Sequence, residues 1–112
     1  MKLVTAIIKP HAVHAVTEAL HAIDVDGITL TEVRGHGRQR GHTEVFRGAE
    51  YKVDYLPKLR LEIVTDDATA SRVAETIATA ARSGKIGDGK IWITDVESVI
   101  RIRTGEVDHD AI

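Results

Sequence analysis

The distribution of apolar residues along the chain predicts alternating strands and helices. Leu3–Ile8 is apolar and rich in β-branched residues, and Pro10 follows it, which indicates a buried strand. Apolar residues then recur at steps of three and four, as on one stripe of an amphipathic helix. These are Val13, Val16, Leu20 and Ile23. The polar, glycine-containing segment from Asp24 to Gly27 ends this predicted helix.

A second unit of the same kind follows. The stretch GITLTEVRGHG alternates and predicts a strand that runs to about His36. Further on, the stretch KLRLEIVT alternates, with Leu59, Leu61 and Ile63 on one face and Lys58, Arg60 and Glu62 on the other. This pattern predicts a strand whose polar face is exposed to water or lines a site. Asp66 and Asp67 then begin a helix, with acids where the macrodipole favours them. Its apolar side carries Ala70, Val73, Ala74, Ile77 and Ala81.

The order of elements predicts the fold class. After the second helix, IWITDVESVIRIR is interpreted as one or two strands, so the order is β α β, a loop, then β α β. Two such units in one small chain predict an α+β, ferredoxin-like double βαβ sandwich, with two helices on one face of an antiparallel sheet. We treat residues 1–112 as a single domain. A domain of this size buries only about 60–70% of its unfolded surface, so oligomerisation is a common way to enlarge its core.

One segment lacks any period. Gly35, Gly37, Gly41 and Gly48 fall among arginines and other polar residues, and no alternation returns before Pro57. We interpret this segment as a loop of roughly 18–20 residues, and loops of that length in a compact domain are usually functional or disordered.

Composition narrows the class of protein. Apolar residues make up 43% and charged residues 29%, as in a globular protein. The net charge of −2 argues against a general nucleic-acid role, which usually needs a basic face. There is no cysteine for a disulfide or a thiolate metal site. We find no signal-peptide pattern and no apolar run long enough to span a membrane, so a cytoplasmic protein is expected.

The segment GKIGDGK, residues 84–90, resembles most of a Walker A pattern. Ile91 stands where a serine or threonine should hold Mg²⁺, and the loop runs from helix to strand rather than from strand to helix. A P-loop is therefore disfavoured. The glycines can still expose backbone amides as an anion nest beside Lys85 and Lys90, and a solvated turn is the alternative.

Arg101 and Arg103 form a second candidate for anion binding. Two residues apart on a predicted strand, they would point to the same face and suit bidentate phosphate recognition. The alternative is a pair of exposed arginines paired with Glu97 or Glu106.

The remaining polar residues give weaker signals. Lys58 by default faces solvent, and Gln39 lies in the glycine-rich loop that precedes it. His14 and His21 lie on a solvent flank of the first helix, so a metal site there is disfavoured. The serines and histidines form no nucleophile–base set.

Three separated motifs, in order, give the chain a strong resemblance to a known family. The segments GRQRGHTEVFRGAEYKVDYLPK, SGKIGDGK and VIRIRTGE resemble those of the PII nitrogen-regulatory signal-transduction proteins, and the resemblance covers nearly the whole chain. It implies a homotrimer in which ATP or ADP binds in clefts between neighbouring subunits. It also implies a mobile T-loop at about residues 37–55, a B-loop at about 82–90 and a C-loop at about 101–105.

The resemblance also implies site residues. Gly87, Asp88, Gly89 and Lys90 would hold the phosphates, and Arg101 and Arg103 would reach them from the adjacent subunit. The rest of the nucleotide cleft would be lined by Thr29, Gly35, Gly37, Arg38, Glu62 and Val64. Gln39 would join the phosphates around Mg²⁺, where an oxygen-rich sphere is suitable. The effector 2-oxoglutarate would contact Lys58, Gln39, Gly41, Gly87 and Lys9.

Regulation would act through the T-loop. Tyr51 matches a residue that is uridylylated or adenylylated in many members by a nucleotidyltransferase, and Arg47 matches the residue that plugs ammonium channels. Recruitment to the membrane would follow from that contact. Other implied partners are further regulators of nitrogen metabolism. Phe46 replaces a common tyrosine, and Ala49 excludes the serine phosphorylation of another branch. His11 and His36 stand where aromatic rings are frequent, and His36 is expected to adjoin the cleft.

Three hypotheses therefore stand. The first is a non-enzymatic sensor of ATP, ADP and 2-oxoglutarate that regulates by docking. The second is a small ATP-hydrolysing enzyme that uses the same cleft. The third is a metal-binding or RNA-binding ferredoxin-like module. The aromatic content of 4% and the net negative charge disfavour RNA binding.

Overall fold

A computed structural model describes residues 1–37, 43–46, 49–52 and 55–112, with no account of side chains within 43–46 and 49–52. The main sheet has the strand order β2-β5-β1-β6, formed by β1 (Lys2–Ile8), β2 (Thr29–Gly35), β5 (Leu56–Thr65) and β6 (Gly89–Asp95). All three strand pairs are antiparallel. The helices are α1 (Val13–His21), preceded by a 3-10 turn at Pro10–Ala12, and α2 (Asp67–Ala81). The predicted ferredoxin-like fold is confirmed.

The two helices pack on one face of the sheet and close the core there. Val16 and Leu20 of α1 and Val73 and Ile77 of α2 are fully buried. They meet alternate residues of the two central strands, among them Leu61 and Ile63. The helical stripes and the alternation of the third predicted strand are therefore confirmed.

The opposite face of the sheet carries no helix among the described residues. Glu62 and Val64 alternate with the buried Leu61 and Ile63, so they lie on this open face. Trp92 lies on the same face, since it pairs with Thr5, which in turn pairs with Glu62. Trp92 is 42% exposed and Val64 is 37% exposed, so this face presents apolar surface in the single chain.

The ends of α2 follow from local chemistry. Asp66 is the N-cap, and its carboxylate accepts a hydrogen bond from the Thr69 amide at 2.8 Å. This satisfies one of the free amides of the first turn. At the other end, the chain leaves the helix at Arg82 and reaches β6 through the glycine-rich turn. The helix thus delivers that turn to the edge of the sheet where β6 begins.

Two predictions about secondary structure need correction. The described residues of the aperiodic segment lie outside the main sheet, as expected of a long loop, but they include a hairpin of β3 (Thr43–Phe46) and β4 (Ala49–Lys52). Only two residues of sequence separate these strands, and a glycine there is typical of short hairpin connections. Strand pairing between neighbours needs no core face, so it left no alternation for sequence analysis to detect.

The second wrong prediction concerns the strand expected to carry Arg101 and Arg103. The chain folds back there: the Arg101 amide donates to the Glu106 carbonyl at 2.9 Å, and the Gly105 amide donates to the Arg101 carbonyl at 2.8 Å. Gly105 has a φ of 72°, which favours glycine. Ile100 and Val107 form only an isolated bridge. The argument that the two arginines share a strand face therefore fails.

Candidate functional site

The site is built around a cavity of about 650 Å³ at one end of the sheet. Four strands supply its walls: β1 and β2 near their ends, and β5 and β6 near their starts. The glycine-rich turn before β6 closes one side. The lining residues are Ile7, Gly35, His36, Gly37, Leu56, Lys58, Gly87, Gly89, Lys90 and Trp92. The volume is typical of small-molecule sites.

Six of the residues that sequence analysis named for ligand binding meet in this cavity. They are Gly35, Gly37, Lys58, Gly87, Gly89 and Lys90. His36 also lines it, and its ring lies 5.6 Å from that of Tyr55, tilted by 53°. Trp92 was not predicted as a site residue. Trp92 lies between Ile91 and Ile93 in a predicted strand, so the sequence already indicated that it faces away from these two residues.

Lys58 is held inside the cavity rather than extended into solvent. Its Nζ donates to the Gly87 carbonyl at 2.8 Å in a partly buried position. The prediction of a solvent-facing lysine is therefore wrong. Burial lowers the pKa of Lys58, and the neighbouring positive charge of Lys9 lowers it further, while Asp88 acts in the opposite direction. Because burial and Lys9 disfavour the charged form of Lys58, an anion bound beside its ammonium group would offset that cost.

The glycine-rich turn has the backbone that an anion nest requires. Gly84, Gly87 and Gly89 all have positive φ, at 81°, 94° and 107°. Gly89 is the most constrained, since an added Cβ would lie 1.7 Å from the Ile7 carbonyl oxygen. The turn therefore closely approaches the end of β1, and Gly87 and Gly89 lie at the cavity wall.

A second cavity, of about 610 Å³, lies at the opposite end of β5. It is lined by residues that join α1 to β2, by Val64 and its neighbours, and by Arg101 and Ile112. Arg101 Nη1 lies 3.4 Å from Glu106 Oε1, and its Nη2 donates to the Ile112 carbonyl at 3.3 Å. Arg101 therefore pairs with Glu106, which was the alternative to anion binding considered from the sequence. Arg103 is exposed.

The two groups of predicted site residues do not meet within one chain. Lys58 and Val64 are six residues apart on β5, which corresponds to about 20 Å along a strand. Thr29 pairs with Glu62 on the open face, toward the second cavity. Arg38, Gln39, Gly41 and Arg47 lie outside the described residues, and Tyr51 belongs to β4 with its side chain undescribed.

The histidines of α1 show no sign of a metal site. His14 and His21 are exposed, and their Nε2 atoms lie 3.1 Å from Glu18 and 3.7 Å from Asp26. Within the part of the chain that the structure describes, no group of three or more histidine or acidic residues is arranged to hold a metal ion. No helix of that part is long and apolar enough to cross a membrane.

The pKa of Asp66 gives a prediction about acid stability. Hydrogen bonds from the Thr69 side chain and backbone lower this pKa. Because the folded-state pKa is below the unfolded value of about 3.9, the stabilisation is complete above that pH and is lost as pH falls. We expect Asp66→Asn to unfold at the same urea concentration as wild type at pH 7, since asparagine caps equally well. Between pH 5 and pH 3 the variant should lose less stability. If the wild type and Asp66→Asn lost the same amount of stability between pH 5 and pH 3, this role of Asp66 would be contradicted.

The fold and the cavity together define a class: a ferredoxin-like domain with a candidate anion site beside a glycine-rich turn. A family model described as "Nitrogen regulatory protein P-II" matches residues 1–106. The chain is 56% identical to the nitrogen regulatory protein P-II of Azospirillum brasilense and to that of Rhodospirillum rubrum, over 112 residues that cover all of each chain. It is 55% identical to nitrogen regulatory protein P-II 1 of Escherichia coli K12 over the same full length.

The chain therefore belongs to the P-II family of nitrogen regulatory proteins. It is a regulator in nitrogen signal transduction, and its class implies interaction with proteins of nitrogen metabolism. The description of the family is that of a regulatory protein.

Proposed function

We propose that this protein reports nitrogen, carbon and energy status by binding ATP or ADP and, together with Mg-ATP, 2-oxoglutarate. The observation that carries the proposal is the cavity between Lys58 and the glycine-rich turn. Its wall combines backbone of Gly87 and Gly89 with the side chains of Lys58 and Lys90. Amide-rich glycine turns bind phosphate oxygens, and an ammonium group binds a carboxylate or phosphate as a point charge.

Assembly into a homotrimer would complete the nucleotide site. Arg101 lies with Val64 at one end of β5, while the glycine-rich turn lies at the other. An arginine of one subunit would therefore serve the phosphates bound by another. The open face of the sheet supports assembly, because Trp92 and Val64 are exposed there without a covering helix in the described chain. Covering such a face is a usual function of oligomerisation in small domains.

The effector would use the same cavity. Lys58 would pair with the far carboxylate of 2-oxoglutarate, with Lys9, Gly87 and Gly41 nearby, and Gln39 would ligate Mg²⁺ with the ATP phosphates. The ammonium group of Lys58 already lies in the wall of this cavity, which supports its assignment to the effector site. Mg²⁺ held there by Gln39 would supply a positive charge that favours oxygen ligands.

The output would be a change at residues 37–55. Gln39 belongs to this segment and Gly37 lines the cavity, so ligand contacts would favour one arrangement of the segment over another. Arg47 would dock on an ammonium channel. Nucleotidylation of Tyr51, as uridylyl or adenylyl, would add negative charge and bulk that change the docking surface. A cytoplasmic protein recruited to the membrane through that channel fits this role.

A small ATP-hydrolysing enzyme is the second candidate for the same cavity. It would need a base positioned to activate water. The histidine that lines the cavity, His36, is the described residue that comes nearest to such a role. Rapid hydrolysis without a partner protein would favour this enzyme over the sensor.

The proposal is tested by titrating ATP and ADP against the fluorescence of Trp92, the single tryptophan of the chain, which lines the cavity. We expect saturable signals for both nucleotides and at most slow phosphate release in the same samples. Failure of both nucleotides to bind would contradict the proposal.

Replacing both Arg101 and Arg103 by alanine tests the contribution of the second cavity. We expect ATP affinity to fall by about tenfold to a hundredfold, because each guanidinium would contribute a charge-assisted bond to phosphate. Circular dichroism should remain that of the wild type. Arg72→Ala, on the exposed side of α2, is the control and should leave affinity unchanged. Unchanged affinity in the double variant would refute the shared site.

A further inference from the structure

The Asp88 carboxylate faces its own turn rather than the cavity beside it. It accepts hydrogen bonds from the Ser83 amide and the Gly84 amide, each at 2.9 Å. The Ser83 hydroxyl also donates to it. Only 24% of its side chain is exposed. The carboxylate therefore closes residues 83–88 into a ring of hydrogen bonds that joins the end of α2 to the start of β6.

Lys9 supplies the counter-charge for this ring. Its Nζ lies 3.3 Å from Asp88 Oδ1 and 3.4 Å from the Ser83 hydroxyl. The side chain of Lys9 is only 12% exposed, although lysine is rarely buried without a partner. Lys9 follows directly on β1, so the ion pair ties the turn to a central strand of the sheet.

Lys58 fixes the turn from its other side. The hydrogen bond from its Nζ to the Gly87 carbonyl connects the turn to β5. The turn contains Gly84 and Gly87, both at positive φ, and the absence of a Cβ leaves their backbone unrestricted by a side chain. A turn so rich in glycine loses much entropy when it is ordered, and external attachments reduce that loss on ligand binding.

A carboxylate does not attract an anionic ligand directly, since like charges repel. The Asp88 side chain is also already occupied by three donors within the turn and by Lys9. Asp88 can therefore contact a phosphate through its backbone. Its side chain instead holds the neighbouring amides of Ser83 and Gly84 in place.

We propose that Asp88 is a positioning residue, which with Lys9 as its counter-ion fixes residues 83–88 in the shape that presents backbone amides to phosphate. The nature of the ligand rests on the function proposed above. The positioning itself is a property of the free protein. Lys9 then acts through Asp88, in addition to any contact with an effector.

The charge of Asp88 is maintained across the physiological range. Hydrogen bonds from the Ser83 hydroxyl and amide, then from the Gly84 amide and Lys9, lower the pKa of this carboxyl far below its ordinary value. Lowered pKa values of this origin indicate that the ionised form is the one the fold binds. The ring of hydrogen bonds around the Asp88 carboxylate is therefore present throughout the neutral pH range and is not switched by pH.

The first test is amide hydrogen exchange in the nucleotide-free protein. We expect exchange at Ser83 and Gly84 to be about tenfold faster or more in Asp88→Ala, the factor expected for loss of a charge-assisted hydrogen bond. Asp88→Asn, which keeps an acceptor oxygen, should restore part of the protection. Lys9→Ala should raise exchange less than Asp88→Ala, and Lys9→Arg should restore it. Asp95→Ala is the control, because Asp95 pairs with Lys2 at the other end of β6.

The second test is calorimetric titration of the same variants with ATP, with adenosine, and with ATP in the absence of Mg²⁺. Misplaced amides should weaken ATP by about tenfold to a hundredfold in Asp88→Ala and leave adenosine unaffected. The loss should be the same with and without Mg²⁺, whereas a Mg²⁺ ligand would affect only the titration with the ion.

Two results would overturn the proposal. One is unchanged exchange at Ser83 and Gly84 in Asp88→Ala, and the other is a loss of ATP affinity that appears only with Mg²⁺. If the wild-type protein bound no ATP, the proposed function would fail, and the exchange measurement would still decide the positioning role.

Discussion

Replacing Lys58 by alanine is expected to abolish 2-oxoglutarate binding while ATP binding persists. The Nζ of Lys58 is the cation that the cavity holds partly buried, 2.8 Å from the Gly87 carbonyl. An effector carboxylate placed there would lose the countercharge of Lys58 in the variant. Removing one partner of a buried charge pair costs about a hundredfold in affinity or more, because the other charge is left unpaired.

The measurement is calorimetric titration of 2-oxoglutarate into protein saturated with Mg-ATP. The matched control is Lys2→Ala, because Lys2 is a partly exposed lysine of the same sheet that pairs with Asp95. It should bind like the wild type. Unchanged effector affinity in Lys58→Ala would remove Lys58 from the effector site.

Replacing Gly89 by alanine is expected to produce the largest loss of stability. Its φ of 107° disfavours a side chain, and a Cβ would lie 1.7 Å from the backbone oxygen of Ile7. Gly89 pairs with Ile8 where β6 begins, so the first pair of this ladder would have to separate. Backbone strain and overpacking together should cost about 3 kcal/mol or more.

The urea unfolding midpoint measures this effect. Gly27→Ala is the control, since nothing lies within 4 Å of an added Cβ there and its φ is not positive. It should change stability by no more than about 0.5 kcal/mol. If the two variants were equally stable, the close approach of β6 to β1 would be incorrect. Because Gly89 also lines the cavity, its stability should be measured without ligand.

Sequence periodicity predicted those parts of the fold that bury one face. The stripe containing Val16 and Leu20 and the alternation of Leu61 with Glu62 arise directly from contact with the core, so both were visible in the sequence. The hairpin of β3 and β4 lies in a segment without apolar periodicity, and its pairing could not be predicted. The turn at Gly105 was missed for the opposite reason, because alternating β-branched residues before it are typical of a strand.

The candidate site was predictable in its residue types and less so in its geometry. Glycines and lysines at 84–90 indicated an anion nest, and the cavity places four of the predicted residues at that turn or beside it: Lys58, Gly87, Gly89 and Lys90. The inward direction of the Asp88 carboxylate and its pairing with Lys9 had no signal in the sequence. These residues are far apart in the chain, and only the antiparallel pairing of β1 with β6 brings them together.

The most direct test of the proposed function is the order of ligand binding measured by calorimetry on the wild-type protein. We predict that ATP binds alone, that 2-oxoglutarate gives no heat of binding without nucleotide, and that it binds once Mg-ATP is present. Equal binding of 2-oxoglutarate with and without Mg-ATP, or no binding of ATP at all, would contradict the assignment of this cavity as a joint sensor of energy and carbon.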